Sequence, residues 1–359
     1  MFNVLIVDDS PLVRSILRDF LEDSGEFKVV AEAENGREGL EKIAVLNPDL
    51  ITMDIDMPVM NGLDAVEEIR KSFTTPVVVI STQDTAKAAY EATARGAVEF
   101  YSKDIFTAAM PEDKKARILD SLVHIAGTKG KLPVLRDGKF SFDESPPALS
   151  RRPSGTGPQR PLRAPRKSAA DRKAEAVVIG VSTGGPRALC SIFGALRRDF
   201  PLPLILVQHN SSGFDRGFVQ WLRGYTALEV RLAGEGERPV PGRVHIAPTD
   251  RHLLVGKNGA FSFDDGPPVN NQKPAVDLLF KSAADYYGAA LISLVLTGMG
   301  RDGAAGTRAV RDAGGLTMAQ DERSSMIYGM PRAARETGCV DMVVGLEAIP
   351  RQLLLLAGR

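Results

Sequence analysis

Two groups of reactive side chains follow short apolar runs in this chain. The first group contains three acids, a hydroxyl and a cation: Asp8, Asp9, Asp54, Ser81 and Lys103. Converging carboxylates repel one another unless a cation lies among them, and their hard oxygen atoms suit Mg²⁺. A carboxylate beside such a metal can attack a phosphoryl group. Taken singly, each residue is equally typical of a helix cap or a surface ion pair. As a set, they predict phosphoryl chemistry.

The second group begins at a glycine-flanked serine. Gly180-Val-Ser-Thr-Gly184 matches the pattern G-x-S-x-G after an apolar run, and Gly185-Pro186 then opens a predicted helix. Glycines tolerate the sharp turn that such a pattern needs, and the turn leaves the serine hydroxyl exposed at a helix start. A turn of this kind can also bind phosphate or simply reverse the chain. Ser182 is therefore a candidate nucleophile that needs partners.

His209 and Asp302 are the candidate partners of Ser182. His209 follows the predicted strand Leu204–Val207, and Asp302 follows another buried apolar run. The other three histidines lie in predicted helical or hairpin segments, where a structural role is more typical: His124, His245 and His252. Serine is a poor nucleophile unless an imidazole accepts its proton, and a carboxylate orients that imidazole. The order Ser, His, Asp differs from that of α/β-hydrolases.

The segment that contains Asp302 also supports a competing interpretation. Gly298-x-Gly300-x-x-Gly303 follows a predicted strand, and Asp321 lies about 20 residues further on, as in a dinucleotide-binding fingerprint. A nucleotide site would leave Ser182 and His209 unused. It would also place a charged residue where the helix start must receive a pyrophosphate. The sequence therefore favours the serine site and keeps the nucleotide site as an alternative.

The elements that must position both groups are strands and helices in alternation. Up to about residue 125, five short β-branched runs alternate with segments of helical period, which predicts a parallel sheet with helices on both faces. From residue 175 onwards the apolar runs are nearly continuous, as in strands covered on both faces. Lys257-Asn-Gly259 between two short runs predicts a small antiparallel hairpin. We therefore expect two α/β domains, 1–125 and 175–359.

Composition limits the remaining possibilities. The chain has 359 residues with 45 basic and 45 acidic side chains, so its formal net charge of zero argues against a broadly basic nucleic-acid-binding surface. Cys190 and Cys339 form neither a disulfide framework nor a thiolate zinc motif. The start of the chain is unlike a signal peptide, and no apolar run reaches the roughly 20 residues of a membrane span. We expect a cytoplasmic protein.

The segment between the two predicted domains, residues 126–174, has a different composition. It is rich in proline and basic residues and poor in large apolar ones, so it cannot bury enough surface to offset the entropy of ordering. This composition predicts a flexible basic linker. A nucleic-acid or membrane-surface arm is the alternative.

The first 120 or so residues resemble the receiver domain of two-component response regulators. The matching segments are Val7-Asp-Asp-Ser10, Met53-Asp-Ile-Asp-Met-Pro58, Ile80-Ser81 and Tyr101-Ser-Lys103. The resemblance implies a flavodoxin-like five-stranded sheet of order 2-1-3-4-5. It also implies phosphorylation of Asp54 by a CheA-type histidine kinase, Mg²⁺ bound by Asp8, Asp9 and Asp54, and phosphoryl contacts from Ser81 and Lys103.

The C-terminal half is similar to the catalytic domain of the chemotaxis protein-glutamate methylesterase (CheB) family. The matching segments are Ile179-Gly-Val-Ser-Thr-Gly-Gly185, Val207-Gln-His209, Pro274-Ala-Val-Asp277, Leu296-Thr-Gly-Met-Gly-Arg-Asp-Gly303, Ala319-Gln-Asp-Glu322 and Tyr328-Gly-Met-Pro331. The resemblance implies that Ser182 is the nucleophile, His209 the base and Asp302 its orienter, without a cofactor for hydrolysis. The backbone of Met299, and less strongly that of Thr183, would stabilise an oxyanion.

Together the two resemblances imply a phosphorylation-activated enzyme. It would remove methyl esters from glutamates of chemoreceptors, release methanol and also deamidate receptor glutamines, while the unphosphorylated receiver covers the Ser182 crevice. The implied partners are chemoreceptors and the kinase, with no nucleic acid and with membranes approached only through receptors. A regulator with a nucleic-acid-binding output is disfavoured because residues 175–359 lack a helix-turn-helix pattern. A methylated target outside chemotaxis remains a second alternative.

Overall fold

The computed structural model of the chain describes residues 1–81, 86–107, 109–130, 132, 134–136, 139–141, 173–210 and 212–358. Contacts divide the chain into two compact units, Met1–Arg160 and Pro161–Arg359. Residues 142–172, most of the predicted linker, lie outside the described residues. None of the helices within the described ranges is long and apolar enough to cross a membrane.

The first unit contains a five-stranded parallel sheet, as the sequence pattern predicts, and its order β2-β1-β3-β4-β5 is the one that the resemblance to receiver domains implies. Its strands are β1 Phe2–Val7, β2 Phe27–Ala33, β3 Leu50–Met53, β4 Val77–Ser81 and β5 Glu99–Ser102. Its helices are α1 Pro11–Glu22, α2 Gly36–Leu46, α3 Gly62–Ser72, α4 Ala86–Ala94 and α5 Glu112–Ala126. The central strands β3 and β4 are fully buried and mostly apolar because helices cover both faces of the sheet, whereas the edge strands β2 and β5 include charged residues.

Strand register brings the first group of reactive residues to one edge of this sheet. Val7 pairs with Met53 at the ends of β1 and β3, so Asp8 and Asp54 emerge side by side. The Asp54 N–H donates to the Val7 carbonyl at 2.8 Å and continues the ladder by one residue. At the ends of β4 and β5, Ser81 pairs with Ser102. These pairings put the reactive residues at the carboxyl ends of adjacent strands, where α/β sheets form their crevices.

A short antiparallel pair follows the first unit's last helix. Its strands, β6 Val134–Arg136 and β7 Lys139–Ser141, lie in the span where composition predicts a linker.

The second unit contains a seven-stranded sheet with the order β10-β11-β9-β8-β14-β15-β16, in which every pairing is parallel. Its strands are β8 Ala176–Val181, β9 Leu204–Gln208, β10 Glu229–Leu232, β11 Arg243–Ile246, β14 Leu291–Val295, β15 Leu316–Gln320 and β16 Met342–Val344. Its helices are α6 Gly185–Gly194, α7 Asp215–Leu222, α8 Val276–Tyr287, α9 Ala304–Asp312, α10 Met330–Glu336 and α11 Ile349–Ala357. The predicted hairpin is present as β12 His252–Val255 and β13 Phe261–Asp264.

Three strands of this sheet were not indicated by apolar runs. β10 lies at the sheet edge and exposes Glu229 and Arg231, so its sequence alternates polar and apolar residues. β16, at the other edge, has three residues. β15 includes Thr317 and Gln320, whose polar side chains are buried and hydrogen-bonded. Apolar continuity detects central strands and misses strands of these kinds.

The central strands β9, β8 and β14 are adjacent and position the second group of reactive residues. Val181 pairs with Gln208, and Gly180 pairs with Val295. The segments that follow these strands therefore emerge together at one edge. They carry Ser182, His209 and the stretch that ends at Asp302.

Candidate active site and phosphoryl site

Ser182 lies on a sharp turn between β8 and α6. Gly184 has a φ of 78°, in the left-handed region that favours glycine, and the Gly185 N–H donates to the Ser182 carbonyl at 2.7 Å. A Cβ at Gly184 would lie 2.7 Å from the Cβ of Met326, so the turn also needs glycine for space. The Ser182 N–H donates to the Thr297 carbonyl at 3.0 Å and ties the turn to the segment after β14.

His209 and Asp302 are in direct contact. His209 Nε2 lies 2.9 Å from Asp302 Oδ2, and both side chains are buried, with exposures of 6% and 2%. The His209 N–H donates to the Val181 carbonyl at 3.0 Å, which sets the histidine beside the residue that precedes Ser182. Since a carboxylate accepts, Nε2 carries a proton, and in the neutral form of the imidazole Nδ1 keeps its lone pair. Nδ1 is buried and, among the described residues, has no hydrogen-bond partner.

The Asp302 carboxylate is surrounded by donors. Oδ2 also accepts from the Val276 N–H at 2.7 Å, and Oδ1 accepts from the N–H groups of Asp277 and Gly303, both at 3.0 Å. Burial alone would raise the pKa of Asp302, but the hydrogen bonds and the charge of His209, together with the backbone donors, hold that pKa below its ordinary value. Asp302 is therefore a fixed anion against the imidazole.

The structure brings His209 and Asp302 together and places Ser182 at the end of the neighbouring strand. Of the two hydrogen bonds expected along Ser182, His209 and Asp302, the one between His209 and Asp302 is present. No hydrogen bond of the described residues joins the Ser182 hydroxyl to His209.

The two candidate oxyanion donors flank Ser182 on different segments. A Cβ at Gly298 would lie 2.7 Å from the Ser182 Cβ, so the segment that leads to Met299 passes against the serine. Thr183 is 5% exposed, and its carbonyl accepts from the Thr297 hydroxyl at 3.0 Å. Within the described ranges, no protein acceptor takes the backbone N–H of Met299 or Thr183. Neither N–H group is therefore taken by the protein within the described residues.

Sequence reasoning assigned no role to several polar residues behind this site. Gln208 donates from Nε2 to the carbonyls of Ser182, at 3.2 Å, and His209, at 3.0 Å. Gln320 accepts from the Thr297 N–H at 2.8 Å. Asp277, 6% exposed, lies next to Asp302. A polar residue within an otherwise apolar strand or helix start is the signal that could have identified them.

The geometry disfavours the dinucleotide alternative. The N–H groups around the start of α9, which a pyrophosphate would need, are taken by carboxylates: Gly303 donates to Asp302, and Gly306 donates to Asp277 at 2.7 Å. The proposed ribose ligand, Asp321, accepts from the Ser324 N–H at 2.9 Å. Protein carboxylates thus accept the backbone hydrogen bonds that a nucleotide pyrophosphate would need.

The other histidines have structural surroundings. His124 Nδ1 lies 2.7 Å from the Asp120 carbonyl on α5. His245 is buried in β11, where burial lowers its pKa to about 4, and its Nε2 accepts from the Val240 N–H at 3.1 Å. His252 bonds the backbone through both ring nitrogens.

The first group of reactive residues converges as predicted. Lys103 Nζ lies 2.8 Å from Asp8 Oδ2 and 2.8 Å from Asp54 Oδ2. Carboxylate oxygens of Asp8, Asp9 and Asp54 lie within 4.8 Å of one another. Ser81 is buried at the end of β4, one register position from Lys103. Three formal negative charges thus face one ammonium group.

The pKa of Asp54 reflects its burial first and the neighbouring charges second. Burial raises its pKa above the ordinary value, and the charge of Asp8 adds to the effect, although the hydrogen bond from Lys103 opposes it. Burial would lower the pKa of Lys103, but its hydrogen bonds to Asp54 and Asp8 raise it overall. Three hard oxygen donors, one of them on the exposed Asp9, match the ligand preference of Mg²⁺.

Comparison with known proteins finds the same two parts. The family description "CheB methylesterase" matches residues 177–353, and "Response regulator receiver domain" matches residues 4–113. A protein-glutamate methylesterase/protein-glutamine glutaminase of Paramagnetospirillum magneticum is 38% identical, covering 99% of this chain and 96% of the relative. One from Pyrococcus abyssi is 35% identical over 98% and 92%. The crystal structure of the Thermotoga maritima CheB methylesterase catalytic domain is 39% identical with a TM-score of 0.50, covering 52% of this chain and all of that one.

Proposed function

Because the chain belongs to the CheB methylesterase family, we propose that it is a serine hydrolase that removes methyl esters from glutamate side chains of chemoreceptors under control of its receiver. The observation that carries the proposal is the buried contact between His209 Nε2 and Asp302 Oδ2 at the strand end next to Ser182. An imidazole with a fixed carboxylate on one nitrogen and a free lone pair on the other is a general base that needs only a nucleophile.

The proposed reaction starts at the Ser182 hydroxyl. Its oxygen attacks the ester carbonyl carbon while its proton passes to His209 Nδ1, and Asp302 stabilises the imidazolium that forms. The tetrahedral intermediate collapses as the imidazolium returns the proton to the methoxide oxygen. Methanol departs, and Ser182 remains as an acyl ester. A water molecule, deprotonated by the same imidazole, hydrolyses this ester to the glutamate carboxyl and regenerates Ser182. A glutamine side chain would react in the same way and release ammonia.

Charge on the carbonyl oxygen needs donors that already point at it. The N–H groups of Met299 and Thr183 fill that role in the proposal because they lie on segments that flank Ser182 and bind no protein acceptor among the described residues. The N-terminus of α6 adds a favourable dipole for negative charge at the same turn.

Control by phosphorylation rests on the receiver site. Asp54 is the proposed acceptor of a phosphoryl group from a CheA-type histidine kinase, with Ser81 and Lys103 contacting its oxygens. Mg²⁺, bound by Asp8, Asp9 and Asp54, would offset the negative charge that gathers there. Phosphorylation would then shift a two-state equilibrium towards an arrangement in which the receiver no longer covers Ser182.

The proposal is tested by methanol release from a methylated chemoreceptor fragment. Ser182→Ala should lower kcat by a factor of about 10⁴ or more, because no other group supplies the attacking oxygen. Ser191→Ala, which changes a serine on the helix that follows the Ser182 turn, is the matched control and should keep wild-type activity. Near-full activity in the Ser182 variant would exclude Ser182 as the nucleophile. If the wild-type protein releases no methanol, the proposed esterase activity is wrong.

A further inference from the structure

A second buried carboxylate lies against Asp302. Asp277, in the first turn of α8, is 6% exposed, and its Oδ1 accepts from the Gly306 N–H at 2.7 Å. Asn270 bridges the two acids, since its Nδ2 lies 2.8 Å from Asp277 Oδ2 and 3.3 Å from Asp302 Oδ1. A single amide therefore donates to both carboxylates.

The Asn270 amide reduces the repulsion between the neighbouring carboxylates of Asp277 and Asp302. Burial and the charge of Asp302 both raise the pKa of Asp277, while the hydrogen bonds from Gly306 and Asn270 oppose that shift. Two adjacent carboxylates repel one another when both are ionised, and a donor that bridges them reduces that repulsion. Asp302 has to keep Oδ2 on His209, and every donor on Oδ1 limits rotation of that carboxylate.

Asp277 adds a link between the two helices that hold Asp302. Its carboxylate binds the first turn of α9, and its own N–H donates to Asp302 Oδ1 at 3.0 Å. The starts of α8 and α9 thus meet at the carboxylate that orients His209. A shift of either helix start would move Asp302 relative to the imidazole.

The loop that presents Asn270 is constrained at both ends. His252 Nε2 lies 3.0 Å from the Pro267 carbonyl, and the Ala275 N–H donates to His252 Nδ1 at 3.1 Å. Inside the loop, Val269 and Gln272 exchange two backbone hydrogen bonds of 3.0 and 2.9 Å. Asn270, with a φ of 51°, lies within this bridge. Its amide is therefore placed by a built loop.

We infer that Asn270 and Asp277 are positioning residues that fix the orientation of the Asp302 carboxylate towards His209. Neither residue contacts the reacting atoms in the proposed mechanism. Their effect should therefore fall on the chemical step and leave substrate binding unchanged. The inference rests on the proposed function for its kinetic readout, and a spectroscopic readout tests it separately.

The kinetic test replaces Asn270 by glycine, which removes the amide while keeping a residue that favours the left-handed backbone. Asn270→Gly should lower kcat about 10- to 100-fold with KM within about twofold of wild type, because a small misplacement of the base affects the chemical step most. The matched control is Asn271→Gly, since Asn271 has a φ of 60° beside it. The control should keep wild-type kcat. Equal losses in both variants, or an unchanged kcat in Asn270→Gly, would overturn the inference.

The spectroscopic test does not depend on activity. The proton on His209 Nε2 gives a nitrogen-coupled NMR resonance that reports its hydrogen bond to Asp302. We expect faster exchange with solvent and a changed shift in Asn270→Gly and in Asp277→Ala, and a wild-type resonance in Asn271→Gly. Asn270→Asp, which replaces the donor with a third carboxylate, should perturb the resonance at least as strongly as glycine. An undisturbed resonance in Asn270→Gly and Asn270→Asp contradicts the inference even if the esterase proposal fails.

Discussion

The two units place acids at the same location in a parallel sheet and surround them differently. Asp54 lies with two other carboxylates around a single ammonium group, and its pKa is raised. Asp302 receives three backbone N–H groups, an amide and an imidazole, and its pKa is lowered. Among the described residues, Asp54 accepts from two donors, the Ile55 N–H and the Lys103 ammonium group, whereas Asp302 accepts from five.

We propose that this difference separates an exchangeable site, Asp54, from a fixed one, Asp302. A carboxylate with few donors can accept a metal and a phosphoryl group and release them again, which suits a switch. A carboxylate with five donors keeps one orientation and one charge, which suits the orienter of a catalytic base. Asp54 has one backbone donor among the described residues, and Asp302 has three.

Removing the charge of the fixed anion should have the largest effect. Asp302→Asn should lower kcat for ester hydrolysis by about 10⁴-fold, because the amide favours the wrong imidazole tautomer. Asp312→Asn, at the exposed end of helix α9, which begins just after Asp302, is the control and should not change kcat. An Asp302 variant with more than a tenth of wild-type kcat would show that His209 does not depend on this carboxylate.

Removing the exchangeable anion should abolish stimulation. Addition of acetyl phosphate with Mg²⁺ should raise wild-type activity, and Asp54→Asn should lose that rise because no acceptor remains. Chelation of Mg²⁺ should have the same effect on the wild type. Asp56→Asn, an exposed acid two residues away, should respond normally. Stimulation that persists in the Asp54 variant would place control elsewhere.

Deleting the unit that contains the exchangeable site should raise basal activity. Without residues 1–125, we expect a gain on the order of 10-fold in kcat/KM, which corresponds to a covered state favoured by about 1.4 kcal/mol. Methanol release by the shortened and full chains in parallel measures this gain. A lower rate in the shortened chain, with its fold intact by circular dichroism, would count against inhibition by the receiver.

The two anions should also have opposite effects on stability. Folding lowers the pKa of Asp302, so the ionised carboxylate stabilises the folded state at neutral pH. This contribution to the free energy of unfolding disappears as the pH falls through the lowered pKa. Asp302→Asn should therefore cost about 2 kcal/mol at pH 7 and less in acid. The pKa of Asp54 is raised, so Asp54→Asn should stabilise its unit at pH 7.

Unfolding of the second unit can be followed through Trp221, the chain's one tryptophan, and hydrogen exchange reports both units. A lower free energy of unfolding in Asp54→Asn at pH 7 would contradict the predicted opposite effects of the two acids. A loss of stability in Asp302→Asn that does not depend on pH would contradict them as well.

Much of this arrangement could be predicted from the sequence. Apolar runs identified the central strands, and the acids, serine and histidine that end them follow from the geometry of parallel sheets. The edge strands β10 and β16 could not be found in this way because their burial is partial or their length short.

The positioning residues were missed for a different reason. Asn270 lies in a loop and has a left-handed backbone conformation, and Asp277 lies in the first turn of a helix. Since neither residue ends a strand, the pattern of strand-end residues does not identify them. Local sequence reports which residues can react, whereas the donors that fix their charge come from segments distant in the chain.

Covalent labelling distinguishes a Ser182 nucleophile activated by His209 and Asp302 from a structural serine. A phosphonofluoridate, which reacts with activated serines, should add once to the peptide that contains Ser182, abolish ester hydrolysis in proportion, and react at least about 100-fold more slowly in His209→Ala. Labelling of another residue, or a fully labelled protein that still releases methanol, would contradict this role of Ser182.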